Sequence, residues 1–242
     1  PRERWEWLFP LIAAATIIGV LVELVGERRD VTLAGTLIIA VLAGAVLRLP
    51  DHDAWFHRMG LAAVIIISVW MLLPVTANRH GPLAPFVFAL TFFAATPLFN
   101  EAAFLKLTVI MTAVGGGALA IAIVALLARR SFTLGPGALI VLVALLHGLL
   151  LTSKAYAPLD PPMPGLPYAL LALAPAALWL AETPIVARRR AWIRTSVALL
   201  APILVLGASA AVLQAHLAEQ RAEDDVERDG TPDAWMDYSD LG

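Results

Sequence analysis

The 242-residue chain is 60% apolar with a mean hydropathy of +0.81, too apolar for a water-soluble domain of this size to cover its own surface. A net charge of −2 and the lack of a basic stripe with interleaved aromatics exclude nucleic-acid binding. Cysteine is absent, which removes disulfides, thiolate metal sites, iron–sulfur clusters and thiol nucleophiles together, and suits a protein partly facing an oxidising compartment.

The apolar residues come in blocks of about 20, the length that crosses a hydrocarbon core about 30 Å thick. In lipid every backbone N–H and C=O needs an internal partner, so each block is expected to be a helix. This spacing predicts an all-α, polytopic membrane bundle of about eight spans: 8–26, 31–49, 59–77, 83–99, 104–128, 134–152, 167–187 and 192–216. The first block is too long and too acidic at its start (Glu3, Glu6) for a signal peptide, and Pro1 in place of Met points to a trimmed N-terminus. The fourth block is short and bounded by Pro82, Pro85 and Pro97, so a re-entrant pair with the start of the fifth is its alternative. Gly115-Gly116-Gly117 in the fifth block reads as a close helix crossing, with a hinge as the alternative. Thr36 with Ala40 and Ala113 with Gly117 have the small-residue spacing of helix contacts. Pro175 and Pro202 are expected to kink the seventh and eighth spans. Five prolines between Ser153 and Pro167 make a stiff connector.

Two domains follow: a transmembrane part, 1–217, and an acidic tail, 218–242, which holds nine of the 19 acidic residues. With eight spans, Arg28, Arg29, Arg79, Arg129, Arg130, Arg188, Arg189, Arg190 and Arg194 fall on one side. Compact arginine clusters mark the cytoplasmic side, which leaves both termini outside a bacterial-type inner (plasma) membrane. Trp5, Trp7, Trp55 and Trp192 stand at span ends, where the ring prefers the headgroup layer.

Ionisable groups within spans are costly and are therefore the first functional candidates. Glu23 and Glu182 are best embedded, five residues from Arg28 and six from Arg188, about 8–9 Å of helix rise. A structural ion pair is preferred over a proton or cation relay. His147 is well inside its span without a second histidine at helical spacing, which favours an interhelical hydrogen bond over metal ligation. Glu101 and Lys106, with Asn100, lie at the same outer level and offer the rim of a polar pocket with His147. Asp53 and His57 in the second outer loop are a weaker metal-ligand pair. The chain lacks a His-Glu-x-x-His helix, a Gly-x-Ser-x-Gly elbow and a phosphate-binding Gly-Lys loop.

The tail carries Asp225, Glu227, Asp229, Gly230, Thr231 and Asp233 in the register of a calcium loop, with the glycine at the turn. Residues 225–237 resemble the Asp-rich calcium loops of thrombospondin type 3 and dockerin-like repeats. The resemblance implies calcium as a ligand of Asp225, Glu227, Asp229, Thr231 and Asp233. The loop departs from the pattern at Met236, where the bidentate acid belongs, and at the longer Glu227, so the binding it implies is weak. For the whole chain the expectation is a non-catalytic accessory or scaffolding subunit of a larger membrane complex, in contact with lipid and other membrane subunits. A transporter or channel for a small solute or ion is the alternative from another class, and a membrane enzyme with an outward-facing polar site is the third.

Overall fold

The computed structural model describes residues 6, 8–26, 29–46, 55–78, 81–101, 105–127, 134–156 and 164–230. Among these residues there is no strand, and the chain is all-helical. Helices α1 (Leu8–Val25), α2 (Arg29–Val46), α3 (Trp55–Asn78), α4 (Leu83–Glu101), α5 (Leu105–Leu127) and α6 (Pro136–Tyr156) follow the first six apolar blocks closely. The seventh block divides into α7 (Gly165–Leu173), a 3-10 helix (Pro175–Glu182) and a short α8 (Pro184–Ala187). The eighth becomes α9 (Ala191–Gly230), a single 40-residue helix that runs through Pro202 without a break.

Six of these helices, α1, α3, α4, α5, α6 and α9, are long and apolar enough to cross a membrane. The pair α7 and 3-10 helix makes a seventh if its two halves form one span. Among the described residues this measure gives six or seven spans, which leaves out α2 (18 residues, with Arg29 and Asp30 in its first turn), against the expected count of about eight. The fourth block is a full 19-residue helix, with Pro97 inside it.

Local chemistry explains the boundaries. Gly26 ends α1 with φ +91°, a left-handed conformation open to glycine, and its N–H returns to the Glu23 carbonyl at 3.2 Å. Pro175 has no N–H to donate, so the seventh block bends by 47° there. The freed carbonyls are taken up by three-residue bonds, Ala174 N to Leu171 O and Ala177 N to Ala174 O. Hydroxyls inside the helices return to the preceding turn, as in Thr36 to Thr32 O, Thr91 to Val87 O and Thr152 to Gly148 O. Each of these hydroxyls thereby finds its acceptor without water.

Helix α6 is the centre, with 72% of its span buried against α1, α2, α3 and α7. Helix α4 is the second most enclosed and carries Phe88, Phe92 and Phe99, all fully buried. It packs against α5 along most of its length and touches α9. The 3-10 helix lies on α9 and α3. Lipid is as apolar as leucine, so close approach and dispersion hold these helices together more than removal from water does. On α2, Thr36 and Ala40 are buried, and a Cβ on the neighbouring Gly35 would stand 2.7 Å from Val22 Cγ2 of α1. On α5, Gly115 faces Phe92 and Phe93, while Gly116 and Gly117 have nothing within 4 Å of where a Cβ would be. The glycine run is thus continuous helix with one crossing residue, and the Ala113 and Gly117 pair faces outward.

Candidate functional site

Glu23 lies in the last turn of α1, and its Oε1 accepts a hydrogen bond from Gly137 N at 3.0 Å. Gly137 N is one of the N–H groups at the start of α6 that have no partner within their own helix. A carboxylate there also faces the positive end of the helix dipole. The contact depends on glycine. A Cβ on Gly137 would run into the Gly19 carbonyl, and one on Gly135 into the Glu23 carboxylate. Glu23 thereby caps a helix 114 residues away in sequence, because the backbones of α1 and α6 meet here. Arg28 lies outside the described residues.

His147 is 6% exposed, in the contact between α3 and α6. Its Nδ1 lies 2.8 Å from the Val143 carbonyl, an acceptor only, so Nδ1 carries the proton. Nε2 is then the acceptor for the Ser68 hydroxyl at 3.3 Å. Both ring nitrogens are used inside the bundle, and the ring is enclosed, whereas Asn100 and Lys106 are exposed. The side chains of Glu101 and His57 and the whole of Asp53 lie outside the described residues. Among the described residues no group of three or more His, Asp or Glu is placed to hold a metal.

Glu182, at the end of the 3-10 helix, is gripped by Arg194 in the first turn of α9. One nitrogen, Nη2, donates to Oε1 at 2.8 Å and Oε2 at 2.7 Å. The arginine is not the nearby Arg188 but Arg194, because the turn through Pro184 brings α9 back over the 3-10 helix. Arg194 Nε is buried and has no hydrogen-bond partner.

Beside this pair runs a groove of about 810 Å³. Its floor is the start of α4 (Leu83, Phe86), one wall is the end of α5 (Ile123, Leu126), and the other is formed by Arg189, Arg194 and Thr195. A smaller depression of about 430 Å³, between Pro184, Ile185, Arg188 and Arg189, adjoins it and shares Arg189. Trp192 stands between the two arginines of the groove and is 65% exposed. Sequence reasoning counted Arg189 and Arg194 only as members of a charge cluster. The available signal was an arginine two residues beyond an interfacial tryptophan, set after a proline-broken span.

At the other end, Ser209 donates to the Pro167 carbonyl at 3.0 Å, tying α7 to α9. Helix α9 continues to Gly230, so the backbone of Asp225, Glu227 and Asp229 is helical here, while Thr231 and Asp233 lie outside the described residues. Compared with known proteins, the chain matches no protein-family model, no curated protein and no solved structure.

Proposed function

We propose that this chain is a non-catalytic multi-pass subunit that scaffolds a larger membrane assembly. The observation that carries this reading is what the polar groups within the helices do: Glu23 caps α6, Glu182 binds Arg194, and His147 is satisfied by Val143 and Ser68. None of these three is left free to relay protons or hold a substrate. The outward face of α5 supports the same reading, because Ala113, Gly117 and Ala120 are exposed there and let a partner helix approach closely. In this proposal α2 and the bent α7 pair complete eight spans, the arginine-rich end is cytoplasmic, and both termini lie outside a bacterial-type inner membrane. The contacts joining Glu23 to Gly137 and Glu182 to Arg194 agree with that parity, since each pairs helix ends assigned to one side.

Extraction in a gentle detergent, followed by cross-linking and identification of what accompanies the chain, tests the proposal. Fixed stoichiometric partners are expected, and a chain that always purifies alone and monomeric overturns it. Ser239→Cys should react with an impermeant thiol reagent in intact cells; reaction only after lysis reverses the orientation.

The 47° break at Pro175 favours a second reading, since interrupted spans line many transport pathways. The break's carbonyls are already taken up locally, which weighs against it. Solute flux in proteoliposomes that is lost in Glu182→Gln at unchanged stability would decide for the transporter. For the tail, the proposal is weak calcium binding, with affinity no better than about 10⁻⁴–10⁻³ M. It requires the end of α9 to unwind before Asp225, so calcium should lower the helix content of the full chain and shift Trp235 fluorescence. Spectra unchanged at millimolar calcium reject it.

A further inference from the structure

The groove between α5 and α9 has two properties that point to one kind of occupant. Its floor and one wall are apolar, and the opposite wall carries Arg189 and the buried Nε of Arg194. The carboxylate of Glu182 occupies only Nη2 of Arg194, which leaves the Nε–H without an acceptor. A buried donor in that state lowers stability until something accepts a hydrogen bond from it. Arg189 is exposed at the junction of the two depressions. The groove also ends on the first turn of α9, where Ile193 N and Arg194 N turn back to the Arg190 carbonyl and the positive end of a long helix dipole begins.

Depth is set by Trp192. Its exposed ring belongs at the headgroup layer, so the guanidinium groups two residues away on one side and three on the other lie at the level of lipid phosphates. The rest of the groove is lined by apolar side chains, Ile123, Leu126 and Phe86 among them, which suit acyl chains. A free anion would satisfy the arginines and leave the apolar wall uncovered. A zwitterionic lipid would bring its own cation to a site that is already cationic.

We propose that this groove is a binding site for an acidic phospholipid, with its phosphate against Arg189 and Arg194 Nε and its upper acyl chains between α5 and α9. The site is large enough, since small-molecule pockets run to about 300–1,000 Å³ and the chains need not be enclosed along their whole length. The proposal does not rest on the scaffolding role, because it concerns the isolated chain in lipid.

The test uses the full-length protein, delipidated in mild detergent and supplied with phosphatidylglycerol, phosphatidylcholine or inorganic phosphate. Native mass spectrometry reads which lipid is retained, and thermal melting reads what is stabilised. Phosphatidylglycerol should be retained in preference to phosphatidylcholine. Arg189→Gln should lower that preference about five-fold, the effect of one cationic contact with an acidic surface. Arg190→Gln lines neither depression and should leave the preference unchanged. Ile123→Trp fills the apolar wall and should reduce retention of the lipid without affecting the melting of the lipid-free protein. Arg194 is left intact, because its loss would also break the Glu182 pair. Equal retention of both lipids overturns the proposal. So does an equal effect of Arg189→Gln and Arg190→Gln, which would mean diffuse surface charge. Stabilisation by inorganic phosphate alone equal to that by phosphatidylglycerol would show a simple anion site in its place. Cross-linking from position 123 to a copurifying protein with no bound lipid would show that a partner fills the groove, and overturns it as well.

Discussion

Helices α5 and α6 follow one another in the chain, are both apolar throughout, and have opposite surroundings. Only 28% of the α5 span is buried, against 72% of α6, although α5 is the more hydrophobic of the two. In water the order would be reversed. In a bilayer, apolar area gains little by leaving lipid for protein, so the centre goes to the helix that offers close approach and hydrogen bonds. Helix α6 brings Gly137 against Gly19, receives the Glu23 cap and holds His147 and Thr152, whereas α5 packs a single face, Leu107, Met111, Gly115, Ala118 and Ala122 among it, on α4 and turns the opposite face outward. Polarity and smallness mark the inside of this protein better than hydrophobicity does.

The sharpest way to break that comparison is to place the same large side chain on both helices. Gly137→Leu drives a Cβ into a backbone carbonyl that cannot rotate away. It should cost at least the roughly 1–3 kcal/mol typical of overpacking and sharply lower the yield of folded protein on size-exclusion chromatography. Gly117→Leu meets nothing within 4 Å and should leave the melting temperature of the isolated chain within about 0.5 kcal/mol of the parent. Equal damage from both would mean that the outer face of α5 is not free.

Glu182→Gln comes next. The pair is half-screened, with 32% of the Arg194 side chain and 14% of that of Glu182 exposed, so a loss of about 1–3 kcal/mol is expected in detergent melts. No change would remove the ion pair from any account of how the broken span is held. Glu23→Ala should cost about 1 kcal/mol, the usual loss of a helix cap. Glu23→Gln should cost less, because an amide oxygen still accepts from Gly137 N. If the glutamine variant melts as low as the alanine one, the charge matters more than the cap and its partner must be sought elsewhere. The smallest effect is Ser68→Ala, which leaves His147 Nε2 without its donor. A loss near the ~0.6 kcal/mol average of interhelical hydrogen bonds in membranes is expected. A loss several times larger would show that more than one bond holds the ring.

Helix positions were legible because the bilayer imposes both a length and a conformation, and the apolar blocks from Leu8 to Leu127 carry that signal directly. The break at Pro175 was legible for a similar reason, since a missing N–H acts locally. Partner choice was not. Glu23 and Gly137 lie 114 residues apart, and no periodicity within either helix announces the other. The arginine for Glu182 was sought by counting along one helix, but the chain turns at Pro184 and supplies it from the next. The spacing of Ala113 and Gly117 marks a helix contact without saying whether the partner is internal or external, because small residues serve either equally well. Gly135-Pro136-Gly137 did carry a usable signal, two glycines around a helix-starting proline, which marks a place where another backbone comes close.

The length of α9 has an electrostatic consequence. At 1.5 Å per residue its 40 residues measure about 60 Å, twice the hydrocarbon thickness of a bilayer. Roughly half of the helix therefore stands clear of the lipid tails, and its far end lies several Debye lengths from the membrane surface, each about 8 Å in physiological salt. The helix works as a standoff. Charges carried at its tip neither feel the surface potential of the lipids nor perturb it, so whatever the acidic tail attracts is gathered from bulk solution, out of competition with the headgroups.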